Sequence, residues 1–225
     1  IGGVHANAYY RYINQALSGN EEAMSTHADH YTTNRAYGVA AYSKGEVLVE
    51  QLGAIIGEDV RNEGMKEYFK TWSFKHPGPI DFKRVMERFS GIELDWYFDY
   101  FVNTTHTIDY SIASVNTNTK YSKIPLEKVG VMPMPQDLKV TFKDGSSSNY
   151  HIPLVIMRGN REMNKGEIIA TDWPWTNPTY TIEIPTMGKR ISKITLDPML
   201  LQADVNRENN EVVFKSIGKQ NFERD

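Results

Sequence analysis

The hydrophobic positions in the first half of the chain recur with the period of an α-helix. In the stretch LVEQLGAII, the apolar residues Leu48, Leu52, Ile55 and Ile56 fall on one face, and Gly57 follows. Spacings of three and four residues are typical of a helix with one buried side, and a glycine just past such a run is a common helix end. The pattern therefore predicts an amphipathic helix that stops at Gly57.

Three further apolar stripes with helical spacing follow before residue 105. They consist of Tyr68, Phe69 and Trp72, of Phe82, Val85, Met86 and Phe89, and of Leu94, Tyr97, Phe98 and Phe101. We expect the first of these helices to begin near Glu58 or Asp59. The second is expected to be capped by Asp81 and to end at Gly91. Residues 76–79, HPGP, are predicted to form a loop because prolines and glycine disfavour helix. Core packing is the expected role of the aromatic side chains.

From about residue 110 the apolar positions alternate with a period of two. The alternating residues are Leu138, Val140 and Phe142, then Tyr150, Ile152, Leu154 and Ile156, then Tyr180, Ile182 and Ile184 before Pro185, and Ile194 and Leu196 after a turn near Gly188. Alternation of this kind indicates half-buried strands, and Asp144-Gly145 is a typical hairpin turn. Short strands with frequent turns favour an antiparallel β-sandwich.

The change of period falls between Asn103 and Tyr110 and defines the predicted organisation. We expect a multi-domain α + β chain, with a helical domain over residues 1–106, a β-sandwich domain over 107–218 and a polar tail over 219–225. The chain begins at Ile1 and not at a methionine, which we interpret as a sign that the sequence is a piece of a longer protein.

Composition and charge exclude several classes of function. The 225 residues are 40% hydrophobic and 24% charged, with a formal net charge of -3. The basic residues are scattered, so no nucleic-acid partner is expected. No run of about 18 apolar residues, the length of a membrane helix, is present. The absence of cysteine excludes disulfides, thiolate zinc ligands and thiol catalysis.

The histidines do not form a recognised metal motif. His27 and His30 lie three residues apart in THADH, but no third ligand at a suitable spacing accompanies them. The zinc-peptidase motif H-E-x-x-H is absent. The oxygen-rich segment DVNRENNE lacks the spacing of a calcium loop. We therefore expect no metal site in this chain, and we predict that DVNRENNE is a turn before a last strand.

Two aromatic features allow a functional and a structural interpretation. The pair Trp173 and Trp175 could bind a sugar or a partner, or could cover the edge of the sandwich, and the cover is favoured. Tyr42 follows Tyr37 by five residues in AYGVAAYSKGE. From spacing alone Tyr42 is a packing residue, although a phenolic O–H held in a dry cleft can also donate to an oxyanion.

A family resemblance changes the interpretation of Tyr42. The segments YSKGEVLVEQLGAIIG and YFKTWSFKHPGPIDFKRVMERFSGIELDWYFDYFV resemble, in the same order, the later part of the catalytic domain of zinc aminopeptidases of the aminopeptidase N and leukotriene hydrolase type. These enzymes are gluzincin metallopeptidases with a thermolysin-like catalytic domain. In them a Tyr-x-Lys-Gly opens a helix with an apolar stripe, and a β-sandwich follows the catalytic domain.

The resemblance implies specific roles for two tyrosines. Tyr42 falls on the family's catalytic tyrosine, which donates a hydrogen bond to the oxyanion formed when a zinc-activated water attacks the scissile carbonyl. Tyr37 matches a second tyrosine that lies near the substrate in some members. The family's zinc ligands and general-base glutamate are absent here, and in the family they precede the catalytic tyrosine.

The resulting expectation is a fragment of a zinc-dependent aminopeptidase that removes N-terminal residues from peptides. Zinc is expected in the intact parent enzyme and not in this fragment, which is expected to be inactive alone. Its expected partners are a peptide substrate, the upstream catalytic half of the same polypeptide and, through exposed helical surface, a second copy of itself. A periplasmic or secreted bacterial parent is favoured by analogy. The alternative is a non-catalytic scaffold that binds peptide or glycan, with the loop of Trp173 and Trp175 as its binding feature.

Overall fold

The computed structural model describes residues 3–117 and 120–214 of the chain. The first part is helical. Its helices are α1 (Ala6–Leu17), α2 (Asn34–Gly38), α3 (Gly45–Ile56), α4 (Glu58–Trp72), α5 (Pro79–Ser90) and α6 (Asp95–Asn103), with a π-helical segment (Val39–Lys44) between α2 and α3. None of the helices in these two ranges combines the length and the apolar character that crossing a lipid bilayer requires.

Two predicted helix ends are confirmed, and both depend on glycine. Gly57 follows α3 with φ 91°, and Gly91 follows α5 with φ 67°. A residue with a side chain is strained at such angles, whereas glycine adopts them freely. The amide of Gly91 donates to the carbonyl of Glu87 at 2.8 Å and closes the last turn of α5. These glycines therefore set where the chain turns between helices.

The start of α5 differs from the prediction. Pro79 is the first residue of the helix, so the loop stops at Gly78 and does not extend to residue 79. Proline suits this position because its missing amide has no helical partner there and its φ is already helical. Asp81 is not the capping residue itself. It lies in the first turn, and its carboxylate accepts from the amide of Gly78 at 2.8 Å.

The predicted apolar face of α4 is wrong at one position. Phe69 is 75% exposed, whereas Tyr68 and Trp72 are partly buried. The ring of Tyr68 meets that of Phe82 edge-on at 5.1 Å. Adjacent residues on a helix point about 100° apart, so Phe69 points in a different direction from Tyr68, and in α4 that direction faces solvent. Phe69 is therefore a surface residue and not part of the core.

The second part of the chain forms two sheets. Its strands are β1 (Tyr110–Ile112), β2 (Asn116–Thr117), β3 (Tyr121–Lys128), β4 (Gln136–Phe142), β5 (Ser147–Ile152), β6 (Glu167–Ile169), β7 (Thr179–Pro185), β8 (Ile191–Leu196) and β9 (Glu211–Val213). One sheet has β3 paired with β1, β2 and β7, and the other has the order β6-β5-β4-β8-β9. A helical part followed by a β-rich part is thus confirmed. The predicted tail, residues 219–225, and the end of the predicted sandwich domain lie outside the described residues.

Two details of the sheets correct the sequence analysis. The β5–β6 pair is parallel, so the second sheet is mixed and not purely antiparallel. The strand predicted to reach Ile156 ends at Ile152. Pro153 follows it, and proline has no amide to continue a ladder. Leu154 then forms an isolated bridge to Trp173, and Ile156 lies in a short 3-10 helix. The predicted last strand after DVNRENNE is confirmed as β9.

A continuous hydrophobic core joins the two parts of the chain. Buried side chains from the helices and from both sheets belong to one cluster. Hydrogen bonds also cross the junction. The hydroxyl of Tyr9 in α1 donates to the carbonyl of Leu201 at 2.6 Å, and the amide of Glu93 donates to the carbonyl of Met157 at 2.9 Å. The β-rich part is therefore packed against the helices at a buried interface.

The tryptophan loop covers the core, as favoured from the sequence. Trp173 is buried, stacks on Tyr180 with ring centroids 5.1 Å apart, and donates from its indole nitrogen to the carbonyl of Asn177. Trp175 is partly buried and meets the ring of Tyr100 edge-on at 6.3 Å. The two tryptophans thus do not form an exposed binding surface.

Candidate functional site

Tyr42 lies within a helix and not at its start. The helical stretch that carries it begins at Asn34, where the hydroxyl of Thr33 accepts from the amide of Ala36 at 3.0 Å. A threonine in this capping position satisfies an amide that lacks a helical partner. The stretch then runs without a break into α3. Tyr42 thus lies inside the helical stretch, which differs from the helix-opening position that the resemblance implies, because the stretch is already capped at Thr33.

The turn around Tyr42 is π-helical. Residues Val39–Lys44 form this wider turn, in which hydrogen bonds join residues five apart. Such turns are rare and are frequently found at functional sites. The ring of Tyr42 is 70% exposed on this segment, so its hydroxyl is accessible from solvent. The structure thus presents Tyr42 on a helical element and not on a mobile loop.

The opposite side of the π-helical segment is buried. Val39, Ala40, Ser43 and Lys44 are all buried there. Lys44 is 1% exposed, and its ammonium group lies 2.6 Å from a carboxylate oxygen of Glu21. Burial lowers the pKa of Lys44, and the Glu21 carboxylate partly offsets that shift by stabilising the charged form. A buried ion pair therefore lies directly behind the exposed tyrosine.

Tyr37 lies on the same helical stretch, one turn before Tyr42. It is 38% exposed, and its ring meets that of Tyr31 edge-on with centroids 5.6 Å apart. The hydroxyl of Tyr31 donates to the carbonyl of Ala23 at 2.9 Å. Burial raises the pKa of Tyr31. The Tyr37 ring is therefore held by a neighbouring ring, while part of it remains open to solvent.

The two histidines of THADH do come close together. The rings of His27 and His30 have centroids 5.2 Å apart, and both residues are exposed. The amide of Asp29 donates to Nδ1 of His27 at 3.3 Å. Within residues 3–117 and 120–214, these histidines belong to no group of three or more candidate ligands. They therefore do not constitute a zinc site of the usual kind.

The described residues do not fit the zinc centre that the resemblance implies for the intact enzyme. The one cluster of three candidate ligands in the described part of the chain consists of Glu87, Glu93 and Asp95. Glu87 already accepts from the amide of Leu94 at 3.0 Å, and Asp95 is paired with Lys83. These carboxylates cap and link helices, and the cluster contains no histidine, whereas catalytic zinc sites in proteins include histidine ligands.

The helical part of the chain is similar to a known protein family. Residues 4–101 match the family described as the peptidase family M1 domain. This part of the chain is therefore similar to the peptidase family M1 domain. The matched residues include Tyr37, Tyr42 and Lys44. A search of curated protein sequences found no significant match.

A solved structure shares the fold over most of the chain. The crystal structure of Legionella pneumophila aminopeptidase A in complex with aspartic acid matches with a TM-score of 0.54 and 15% sequence identity. The match covers 86% of this chain and 21% of that chain. The likeness thus extends beyond the helices into the β-rich part, while this chain spans about a fifth of the length of the aminopeptidase.

Sequence analysis missed the ion pair behind Tyr42. Lys44 lies four residues before Leu48, on the same face as the buried stripe that continues to Leu52. A lysine in register with an apolar stripe indicates a buried, paired cation, because an unpaired one would be costly. That signal was present in the sequence. The partner could not be identified from it, because Glu21 lies in a stretch with no helical or strand period.

Proposed function

We propose that this chain is part of a zinc-dependent aminopeptidase that removes N-terminal residues from peptides, and that Tyr42 stabilises the oxyanion of the reaction. The observation that supports this most directly is the placement of Tyr42. The tyrosine of the Tyr-Ser-Lys-Gly sequence is exposed on a π-helical segment, within the region that matches peptidase family M1. The role of Tyr37 is to border the substrate next to it.

The chemistry of the phenol fits this role. A tyrosine hydroxyl is a hydrogen-bond donor, and an ordered donor is effective in catalysis when it points to the position at which negative charge develops. The segment that carries Tyr42 packs against α1, and its Lys44 side chain lies over the ring of Phe101 in α6. Because this backbone is already held in place, it does not have to be ordered during the reaction. A single donor of this kind contributes about 10² to 10³ in turnover in other hydrolases.

The proposal assigns the zinc ligands and the general base to residues outside this sequence. The residues that the structure describes offer no suitable zinc site, and the sequence lacks H-E-x-x-H. We therefore propose that this chain binds no stoichiometric zinc and hydrolyses no peptide alone. Its partner in the active enzyme is the zinc-bearing part of the same polypeptide, and its substrate is the amino-terminal end of a peptide. A periplasmic or secreted location for that enzyme is part of the same proposal.

The alternative scaffold function loses its main feature. A glycan- or peptide-binding surface built on Trp173 and Trp175 requires both rings at the surface. Trp173 is 1% exposed and its indole nitrogen is already bonded within the chain. Burial of this ring leaves the peptidase proposal as the function that the geometry supports best.

The proposal is tested by assaying the chain and the full polypeptide side by side. Both are incubated with a panel of aminoacyl anilides, and bound zinc is measured by mass spectrometry. We expect hydrolysis and about one zinc per molecule for the full polypeptide, loss of activity with a chelator, and neither zinc nor hydrolysis for the chain alone. A full polypeptide that binds zinc but cleaves no substrate of the panel would contradict the proposal, as would stoichiometric zinc on the isolated chain.

A further inference from the structure

The side chain of Lys44 connects the π-helical segment to two other elements. Its ammonium group contacts Glu21 at 2.6 Å, in the stretch after α1, and donates to the carbonyl of Thr104 at 3.1 Å, directly after α6. It also lies over two aromatic rings, 5.5 Å from the centroid of Tyr12 and 5.0 Å from that of Phe101. One buried cation therefore holds α1, α6 and the π-helical segment together.

The contacts of the Lys44 ammonium group are strong enough to hold the π-helical segment in one position. Hydrogen bonds between ionised partners are shorter and stronger than neutral ones, and a cation over an aromatic face is further stabilised by the ring. The carboxylate of Glu21 is 6% exposed, so solvent competes little with the pair. Its second oxygen has no hydrogen-bond partner within residues 3–117 and 120–214. The buried negative charge of Glu21 is therefore compensated mainly by Lys44.

Tyr42, in contrast, has little support of its own. Its ring is 70% exposed, and within the two described ranges no hydrogen bond or ring contact holds it. The direction of its hydroxyl therefore depends on the backbone of the π-helical segment. A π turn inserts extra backbone relative to an α-helix, and relaxation to α-helical bonding would rotate Tyr42 relative to α3. Lys44 is the last residue of that segment, so its anchoring opposes such a rotation.

We propose that Lys44 is a positioning residue, which maintains the π-helical segment and thereby orients the Tyr42 hydroxyl toward the reacting carbonyl. This inference rests on the proposed function, because it assumes that Tyr42 acts in peptide hydrolysis. Lys44 is buried and does not contact the substrate. Its partners in this role are the carboxylate of Glu21 and the carbonyl of Thr104.

If Lys44 only stabilised the fold, its replacement would have different effects from those expected of a residue that positions Tyr42. Removing only one partner of a buried ion pair leaves an uncompensated charge and lowers stability, whereas replacing both partners with apolar residues of similar size is often tolerated. The variant that carries both Glu21→Leu and Lys44→Met is therefore the informative one. It is expected to fold, but it lacks the charged contact between the π-helical segment and the stretch after α1, and it lacks the bond to Thr104.

The experiment measures kcat and KM of the full polypeptide for these variants. We expect kcat of the double variant to fall by about tenfold to a hundredfold, since small displacements of a catalytic group have effects of that size. KM should stay within about twofold, as for an interaction made in the transition state. Lys44→Arg, which keeps the cation, should recover most of the activity. Glu21→Gln, which keeps the shape of the partner, should show an intermediate loss of kcat. This variant replaces the double variant in the test if the double variant does not fold.

Hydrogen exchange on the isolated chain provides a second measurement that does not depend on activity. The amides of residues 39–44 should exchange at least about tenfold faster in the double variant, whereas those of α4 should be unchanged. The matched control combines Arg161→Met and Glu167→Leu. This pair is mostly buried, with side-chain exposures of 6% and 14% and 2.8 Å between Nη1 and Oε2, but it lies in the β-rich part. It is expected to leave both kcat and exchange at 39–44 unchanged.

Tyr42→Phe, assayed in parallel, separates the two proposals. If Tyr42→Phe lowers kcat while every folded Glu21 and Lys44 variant keeps the kcat of the unmodified enzyme and its slow exchange, the positioning role of Lys44 is wrong and the proposed function stands. If Tyr42→Phe itself leaves kcat unchanged, the catalytic role of Tyr42 is wrong, and the positioning role is overturned with it.

Discussion

The backbone amide of Ala203 donates a 2.6 Å hydrogen bond to the side-chain oxygen of Gln51, which is 152 positions earlier in the chain. The amide nitrogen of Gln51 in turn donates to the hydroxyl of Tyr97 at 3.2 Å, and that hydroxyl donates to the carbonyl of Leu48 at 2.8 Å. Gln51 is completely buried. A single side chain therefore satisfies polar groups from the β-rich part and from α6.

Replacing Gln51 with methionine should destabilise the whole chain. The substitution keeps the shape but leaves the buried amide of Ala203 without its acceptor, which is expected to cost about 1–3 kcal/mol in the free energy of unfolding. Urea denaturation measures this loss. Gln15→Met is the matched control, because Gln15 is also buried but donates only to the carbonyl of the exposed residue Asn20. Equal losses for the two variants would show that Gln51 does not connect the two parts.

Gly130 should not tolerate a side chain. A Cβ atom there would lie 2.3 Å from the carbonyl oxygen of Thr107 and 2.6 Å from the amide of Asp109. Because both neighbours are backbone atoms, the chain must shift, and we expect Gly130→Ala to cost about 1–3 kcal/mol or more. Thermal unfolding followed by circular dichroism measures the change.

Gly38→Ala is the control for this substitution. Gly38 has helical angles and open space around its Cα. Alanine is favoured over glycine inside a helix by about 1 kcal/mol, so this variant should be as stable as the unmodified chain or more stable. If Gly130→Ala had the same melting temperature as Gly38→Ala, this would contradict the close approach of Gly130 to the backbone of residues 107–109.

The stability of the chain should depend on pH through Asp197. This carboxylate accepts from the amides of Leu201 and Gln202, both at 2.9 Å, and pairs with Arg207 at 3.0 Å. Burial outweighs these contacts and raises the pKa of Asp197 from 3.8 to about 6. Between these two values the folded state binds more protons than the unfolded state, so stability falls as pH rises. Below pH 3.8 ionisation of Asp197 costs no stability, and above about pH 6 the full loss of stability is reached.

Asp197→Asn is expected to remove this dependence. The shift corresponds to a penalty on the order of 3 kcal/mol for the ionised form. Urea denaturation at intervals from pH 4 to pH 7 should show a decline in stability for the unmodified chain and a flatter profile for the variant. Parallel profiles for the two proteins would mean that Asp197 is not the group responsible.

The isolated chain is expected to self-associate through the exposed face of α1. Tyr10 and Leu17 on this helix are exposed, and Val4 lies just before it. Apolar residues arranged along one face favour association in water. Size-exclusion chromatography should therefore give an elution volume that depends on concentration, and Leu17→Glu should shift it toward the monomer. A monodisperse monomer with no binding of dyes to apolar surface would contradict this expectation.

The sequence predicts elements whose signal is local. Gly57 and Gly91 end their helices because each needs a positive φ, a property of the single residue and its neighbours. Alternation in the β-rich part likewise predicts β4 and most of β5. The parallel pairing of β6 with β5 was not predicted. A strand of three residues is too short to show a period, and its partner is chosen by the tertiary fold.

In the candidate site, too, some features could be predicted from the sequence and others depend on the tertiary fold. Tyr42 and Tyr37 could be proposed from the sequence because the family resemblance identifies both residues. The π-helical turn could not, because no local pattern distinguishes it from an α-helix. The pairing of Lys44 with Glu21 joins a helix to an irregular segment 23 residues earlier. Such a contact is fixed only when α1 and α6 pack together, so it depends on the fold as a whole.

The central claim is that the hydroxyl of Tyr42 takes part in catalysis and not in folding. Its ring is exposed, so Tyr42→Phe should change the free energy of unfolding by less than about 0.5 kcal/mol. Tyr10→Phe is the matched control, since Tyr10 is a similarly exposed tyrosine in the same helical part. The decisive measurement is kcat of the full polypeptide with Tyr42→Phe. We predict a decrease of about 10² to 10³ with an unchanged melting temperature, whereas a kcat equal to that of the Tyr10→Phe control would contradict the account.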